Sequence, residues 1–158
     1  MSTIKVDTIQ TRAGAVPKAS DLGLNVTGNV LQVVSASATT ETSFTSTSFV
    51  ATSTTLSITP TSSSNKVLVS AVLPIQSGSS GIVTFTLYRN STNLGDSSVG
   101  FGRFYDASRD YNATMLYLDS PSTTSATTYT VYIKTSASTA YYNISNTPSS
   151  IVAQEIAG

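Results

Sequence analysis

Short runs of alternating apolar and polar residues follow one another along the chain from about Val30 onward. Successive side chains of a β-strand point to opposite faces, so this alternation predicts strands that each bury one face. In Ile82–Arg89, for example, Val83, Phe85 and Leu87 alternate with threonines and a tyrosine. No window shows a convincing apolar period of 3.6 residues, and serine and threonine are poor helix formers. The predicted strands are Val30–Ala36, Ser43–Val50, Thr54–Thr59, Lys66–Ile75, Ile82–Arg89, Asn112–Asp119, Thr127–Thr135, Ala140–Ile144 and Ser150–Ile156.

The number and shortness of these strands predict an all-β fold, an antiparallel two-sheet sandwich and most simply a jelly roll. Ser43–Val50 and Thr54–Thr59 are expected to pair with each other before Pro60. The strand Lys66–Ile75 is apolar on both faces, with Leu68 and Val72 opposite the main apolar set. Such a strand is expected to be buried twice, once in the sandwich and once against a neighbour. Because few lysines or prolines protect the sheet edges, we expect a homo-oligomer.

The first 30 residues differ from the rest of the chain. Glycines and a proline come too often for a helix, and the apolar residues are too few for a core. We therefore predict an extended N-terminal attachment arm over 1–30 and a jelly-roll knob over 31–158, although an ordinary first strand with a loop would fit the same residues. An arm of this kind orders when a partner surface accepts its few apolar anchors. The expected partner-anchoring residues are Ile4, Val6, Ile9 and Leu22.

Composition limits the partners of the protein. At 158 residues the chain has the length of one domain, and its eight basic and eight acidic residues cancel. We therefore expect neither nucleic acid nor an anionic membrane as partner. Charged residues make up 10% of the chain, against about 25% in ordinary soluble domains, and serine and threonine replace them. A weakly charged polar surface suits a protein that packs against copies of itself. No apolar run has the length of a signal peptide or a membrane span, so we expect assembly in a host cytoplasm.

The chain offers little catalytic chemistry. It has no histidine and no cysteine, which removes the usual proton shuttle, the thiolate nucleophile and the common soft metal ligands. Asp96, Asp106, Asp110 and Asp119 could supply the two carboxylates of a glycosidase, but no motif connects them. Neither a Gly-x-Ser-x-Gly elbow nor a calcium loop of the Asp-x-Asp-x type occurs. We predict a non-enzymatic protein without catalytic residues, metal or cofactor.

Functional side chains are densest in residues 101–111, where four aromatic residues, two arginines and two aspartates lie together. Aromatic, Arg and Asp side chains favour contacts with proteins or sugars. The same residues would also suit a long loop whose aromatics pack on the sandwich and whose charges pair. Tyr88, Tyr132 and Tyr141-Tyr142 leave a similar choice between sugar stacking and cross-strand packing. The possible contact residues of the 101–111 loop are Arg103, Tyr105, Asp106, Arg109 and Tyr111.

Several phrases of the sequence look familiar together. They are Ser2–Gln10, Val26–Val34, Leu56–Lys66, Leu87–Gly95, Leu118–Pro121 with Thr127–Val131, and Ile151–Ala157. Their combination resembles small tail-fibre-like or virion structural proteins of marine tailed bacteriophages, over nearly the whole chain. The resemblance implies a trimeric jelly-roll knob, similar in outline to tumour-necrosis-factor-like domains, preceded by an attachment segment. It implies no reaction and no cofactor, and it is weakest at residues 101–111.

The sequence thus leads to two functional hypotheses. In the first, the protein is a surface component of a virion, a capsid decoration or short appendage whose arm docks on a capsid or tail protein. In the second, it is a tail-fibre or host-receptor adhesin that binds a host-surface glycan or protein through the 101–111 loop.

Overall fold

The fold is a sandwich of two antiparallel β-sheets, seen in a computed structural model that describes residues 27–78, 81–105 and 109–158. A short 3₁₀ helix, Ile144–Asn146, follows the tenth strand, and no helix in the described ranges is long and apolar enough to cross a membrane. The strands are β1 (Val30–Ala38), β2 (Thr42–Phe44), β3 (Val50–Ile58), β4 (Lys66–Gln76), β5 (Ile82–Arg89), β6 (Thr92–Asn93), β7 (Gly102–Tyr105), β8 (Asp110–Asp119), β9 (Thr127–Thr135), β10 (Ala140–Tyr142) and β11 (Ser149–Ile156).

The strand order is that of a jelly roll. In the six-stranded sheet, β1, β11, β4 and β8 lie side by side, and β10 and β2 extend the sheet from the same side of β4 as β11. In the five-stranded sheet, β3, β9 and β5 lie side by side, and β6 and β7 both pair with the far side of β5. Successive long strands therefore cross between the two sheets, as in a double Greek key. The predicted all-β sandwich is confirmed.

The core lies between the two inner faces, where the predicted alternation is seen directly. Tyr129, Val131 and Ile133 of β9 are fully buried, and Val83 and Leu87 of β5 meet them in the same layer. Burial of such side chains removes apolar area from water, which is the main favourable term in folding. From the six-stranded sheet the core receives Val67, Val69, Ala71, Leu73, Ile75, Ala113, Met115, Ile151 and Ala153.

Two predictions about local structure were wrong, one about strand pairing and one about a loop. The second and third strands do not pair with each other, because β2 pairs with β10 in one sheet and β3 pairs with β9 in the other. Phe44 of β2 packs against Tyr142 with ring centroids 6.4 Å apart, so burial of this ring holds β2 in the six-stranded sheet. The predicted 101–111 loop also contains a strand, β7, which the alternation did not reveal because it is only four residues long.

The loop between β6 and β7 lies over the outer face of the five-stranded sheet. Thr86 points outward from β5 but is fully buried, and its hydroxyl donates a hydrogen bond to Asn93 Oδ1 at 2.6 Å. Gly100 has a φ of +58°, and a Cβ at this position would collide with the main-chain oxygen of Phe85. Only glycine allows this close approach. The loop consequently rises above one part of the outer face, and Phe49 of the β2–β3 connection packs on Tyr88 of the same face.

Candidate functional site

The predicted anchors Ile4, Val6, Ile9 and Leu22 all lie outside the described residues, and so does Asp106. The other members of the predicted contact loop are described. Arg103 and Tyr105 both stand on the exposed side of β7, where the Tyr105 side chain is 77% exposed. Arg109 is also exposed, immediately before β8.

The aromatic residues of the 101–111 segment divide between surface and core. Tyr111 is half-buried in β8 and stacks on Phe104, with ring centroids 4.7 Å apart. Phe104 in turn stacks on the core residue Phe85 at 5.6 Å. Phe101 packs edge-on against Tyr117 at 5.4 Å. The structure thus assigns three of these aromatics to packing, and it leaves Arg103 and Tyr105 as the outward pair.

Exposed apolar side chains lie side by side on the outer side of the six-stranded sheet, and we call this surface the apolar face. Three of its side chains are strongly exposed: Leu116 by 66%, Val33 by 58% and Leu118 by 49%. The remaining members are half-buried. The apolar face consists of Val33, Leu68, Val72, Leu116, Leu118, Val152 and Ile156.

Register brings these residues together across four strands. Leu68 of β4 pairs directly with Leu118 of β8, and the next outward pair joins Ser70 to Leu116. On the other side of β4, Ser70 pairs with Val152 of β11. No described segment covers this face, so the second burial predicted for Leu68 and Val72 is not seen within the described residues. Large exposed apolar patches on proteins are commonly sites of interaction.

The outer side of the five-stranded sheet has the opposite character, and we call it the hydroxyl face. Its cross-strand neighbours join through short hydroxyl–hydroxyl hydrogen bonds, Thr55 to Thr130 and Ser57 to Thr128, each at 2.7 Å. Tyr88 and Tyr132 stack on each other with ring centroids 3.9 Å apart. The packing interpretation of these two tyrosines is thus the one the structure shows. Water can solvate this face without cost, whereas it cannot solvate the apolar face in the same way.

A buried ionic cluster joins the two sheets at one end of the core. Asp119 of β8 accepts hydrogen bonds from Arg89 of β5 at 2.8 and 3.0 Å and from the hydroxyl of Tyr129 of β9 at 2.6 Å. Burial, together with the bond to the Asp119 carboxylate, raises the pKa of Tyr129. The phenol is therefore fixed as a neutral donor, and the cluster acts as a cross-link between strands.

A second buried cluster surrounds Glu155 of β11, a residue with no exposed surface. One carboxylate oxygen accepts from Asn65 Nδ2, the Thr61 amide and the Thr61 hydroxyl at 2.6–2.8 Å. The other accepts from Gln32 Nε2 at 2.6 Å. Burial alone would raise the pKa of Glu155, but the hydrogen bonds from Asn65, Gln32 and Thr61 outweigh it and hold the pKa below its usual value.

The described aspartates have structural partners and lie apart. Asp96 accepts three hydrogen bonds from Ser98 and Val99, which lower its pKa to about 2. Asp110 accepts one from Gln76 at the edge of the other sheet. Each carboxylate therefore stabilises its own local structure. No group of three or more acidic residues in the described ranges could hold a metal ion.

Sequence reasoning identified two of the seven residues of the apolar face and missed the other five. Leu68 and Val72 were recognised because β4 is apolar on both faces. Leu116 and Leu118 carry the same signal, since Met115-Leu116-Tyr117-Leu118 is apolar at four consecutive positions. Of these, Met115 is buried and Tyr117 half-buried, while the two leucines point outward.

Comparisons with known proteins add little to this surface. No protein-family model matches the sequence, and no curated protein matches it significantly. A chain from a crystal structure of the T13 viral particle of IBDV aligns with 14% identity and a TM-score of 0.46, over 98% of this chain and 40% of that one. A chain from T=1 particles derived from infectious bursal virus aligns with 15% identity and a TM-score of 0.40, over 80% and 36%. This chain thus spans about two fifths of those chains, and TM-scores below 0.5 carry no inference about it.

Proposed function

We propose that this protein is a non-enzymatic structural subunit of a tailed-phage virion that assembles with copies of itself through the apolar face. The observation that carries the proposal is the contrast between the two outer faces. One presents exposed leucine and valine side chains, and the other presents paired hydroxyl groups. A monomer would leave the first face in water, whereas an oligomer would bury it and leave the second face outside.

The energy available from this burial is sufficient for self-association. Complete burial of a Val or Leu side chain is worth about 1.5–3 kcal/mol. Leu116, Val33 and Leu118 are 66%, 58% and 49% exposed, so covering the three in each subunit would stabilise the assembly by roughly 3–5 kcal/mol per subunit before entropic costs. Neutral and weakly charged subunits oppose this association little. Three-fold closure is the arrangement that the sequence resemblance implies.

The experiment is a mass measurement by light scattering on the intact protein and on Leu116→Lys with Leu118→Lys. We expect a wild-type trimer and a monomeric variant, because two ammonium groups cannot be buried on the apolar face without a large cost. Ala51→Lys with Ser53→Lys is the matched control, since it adds the same two charges at exposed positions on β3 of the hydroxyl face. A wild-type monomer would contradict self-association, and a variant that keeps its mass would show that another surface is used.

Virion membership rests on the resemblance and on the predicted arm, 1–30, as the segment that docks on a capsid or tail protein. Immunogold labelling of particles tests it. Label distributed over capsids or at a short appendage supports a decoration protein, and label confined to fibre tips supports the adhesin hypothesis. Particles that carry no label would contradict both.

A second candidate function, the host-receptor adhesin, is favoured by one observation. Arg103 and Tyr105 project together from β7 on the side of the hydroxyl face, away from the apolar face. In an oligomer they would remain accessible to a host-surface glycan or protein. The double change Arg103→Ala with Tyr105→Ala should then abolish cell binding and leave the mass unchanged, and binding that survives would exclude this site.

A further inference from the structure

A cleft of about 240 Å³ opens on the hydroxyl face, beside the raised loop between β6 and β7. Among the described residues, its lining is basic and hydroxylic and includes no carboxylate. Arg103 and Lys134 supply the two charges, and Ile82 is the one aliphatic residue. The hydroxyl groups come from Thr47, Thr84, Ser98, Thr135 and Ser136.

Strand register places the two cations on either side of one threonine. Arg103 of β7 pairs with Thr84 of β5, and Thr84 pairs with Lys134 of β9. Since neighbouring strands lie about 4.8 Å apart, the two basic residues begin about 10 Å apart on the same face. This spacing leaves room for one small anionic group between the extended side chains.

Neither cation is neutralised by an ion pair within the described residues. The salt bridge found there joins Arg89 to Asp119 at the other end of the sheet. Lys134 Nζ lies 4.4 Å above the ring of Phe49, a contact that positions the charge without cancelling it. Asp96 is close enough for Lys134 to contribute to its low pKa, but one of its oxygens is already occupied by Ser98 and Val99.

The hydroxyl groups retain hydrogen-bonding capacity. Ser136 Oγ accepts from the Ile82 amide at 2.9 Å and can still donate its own proton. Ser98, which is exposed, donates from Oγ to Asp96 Oδ1 at 2.6 Å and can still accept, whereas Thr135 is buried. A hydroxyl both donates and accepts, which matches the hydroxyl groups of a sugar ring. The cleft volume is below the 300–1,000 Å³ of drug-sized pockets, as suits a single ring of a longer chain.

We propose that this cleft binds an anionic saccharide, with Arg103 and Lys134 holding a sulfate or carboxylate group and the surrounding hydroxyls contacting the ring. The proposal deepens the second candidate function and rests on it in part. It moves the site from the 101–111 loop to a surface shared by three strands, and it adds Lys134, a residue outside that loop.

The test uses the full chain, labelled with ¹⁵N, and follows amide shifts during titration with glucose 6-sulfate, glucuronic acid, glucose and sodium sulfate. Shifts should concentrate around Thr84, Ser98 and Ser136. We expect at least one of the two acidic sugars to bind about tenfold more tightly than glucose and than inorganic sulfate, and to weaken as salt rises. Tighter binding of glucose 6-sulfate would identify a sulfate ester as the acidic group of the ligand, and tighter binding of glucuronic acid would identify a carboxylate.

Three matched variants locate the site. Arg103→Met and Lys134→Met should each weaken binding about tenfold, because each removes a charge-assisted hydrogen bond and keeps an apolar stem. Arg109→Met removes an exposed cation that does not line the cleft and should leave binding unchanged.

Loss of binding in Arg109→Met with retention in Lys134→Met would overturn the cleft and return the site to the loop. Equal shifts with glucose, equal affinity for inorganic sulfate, or no shifts would also overturn it. Light scattering on the same samples measures the subunit number independently, so a failure of saccharide binding can be told apart from a failure of self-association.

Discussion

Glu155 shows how a single buried charge is tolerated in a chain with few charges. No cation pairs with it among the described residues, and four hydrogen bonds replace the water it has lost. Gln32 takes part twice, since its amide also donates to the Thr59 carbonyl at 2.7 Å. The carboxylate thus connects β1 and β11 to the segment between β3 and β4.

Glu155→Gln should destabilise the protein by about 1–3 kcal/mol at pH 7. The new side-chain NH₂ group would face an N–H or O–H group that now donates to the Glu155 carboxylate, so one hydrogen bond would be lost. Rotating Gln32 to compensate would turn its oxygen towards the Thr59 carbonyl. Urea unfolding at a fixed protein concentration measures the difference. Asp110→Asn is the control, because Asp110 is exposed and also accepts from a glutamine, and it should change stability by less than about 0.5 kcal/mol.

The same carboxylate predicts a pH dependence. Its pKa is lower in the folded protein than in the unfolded chain, so its contribution is complete above the unfolded value of about 4.3. The contribution is lost as the pH falls through the lower folded pKa. The stability gap between wild type and Glu155→Gln should therefore be constant from pH 7 to about 5 and shrink towards pH 3. A gap that stays constant over the whole range would show that the folded carboxylate is not the stabilising form.

At the scale of strands, Asp119 connects elements that pairing alone leaves separate. It belongs to the six-stranded sheet, while Arg89 and Tyr129 belong to the five-stranded sheet. Apart from a buried hydroxyl–hydroxyl hydrogen bond of 2.7 Å between Thr54 of β3 and Ser149 of β11, the contacts described between the two sheets are mainly apolar, and apolar contacts are not directional. This hydrogen-bonded cluster can therefore fix how one sheet sits on the other.

Tyr129→Phe should lower the free energy of unfolding by about 1.5–3 kcal/mol, the usual value of a hydrogen bond to a charged group. The ring stays, so packing changes little and the effect belongs to the lost hydroxyl. Tyr132→Phe makes the same chemical change three positions along β9, on the hydroxyl face, and should have no measurable effect. Chemical denaturation of both variants provides the comparison. If Tyr129→Phe and Tyr132→Phe changed the free energy of unfolding equally, the hydrogen bond from Tyr129 to Asp119 would contribute no specific stability.

Strand positions could be read from the sequence because the two-residue period is a local property. Ile82–Arg89 and Thr127–Thr135 were predicted with the bounds that the structure has. Strand partners could not be read, since they depend on which long-range pairing buries the most surface. Phe44 is the example: its neighbour Tyr142 is nearly a hundred positions away in the sequence. The cleft between Arg103 and Lys134 was out of reach for the same reason, because it needs the register of three strands.

At the scale of the whole molecule, the two outer faces divide the work of the fold. In the proposed assembly, one sheet would present leucine and valine to a neighbouring subunit, and the other would present hydroxyl groups and the cleft to the surroundings. Such an assembly would need few charges, because serine and threonine would solvate one side and burial would cover the other. The low charge of the chain is what we would expect of an assembled subunit.

The predicted arm is the part of the molecule that this division does not require. The two sheets, the core and the apolar face as described are all formed by residues from 27 onward. Gly28 is already tied to the body, since its amide donates to the Ala157 carbonyl at 2.8 Å and the Ala157 amide donates to Asn29. The boundary for a truncation therefore falls before Thr27.

Deletion of residues 2–26 should leave a folded oligomer of unchanged subunit number that no longer enters particles. Its melting temperature should differ from that of the full chain by no more than about 4 °C, which corresponds to at most about 1 kcal/mol in a domain of this size. Light scattering, thermal unfolding and incorporation into virions measure the three parts separately. An unfolded or monomeric product would place the arm in the core or in the subunit interface. A folded oligomer that still enters particles would show that attachment uses the body of the sandwich.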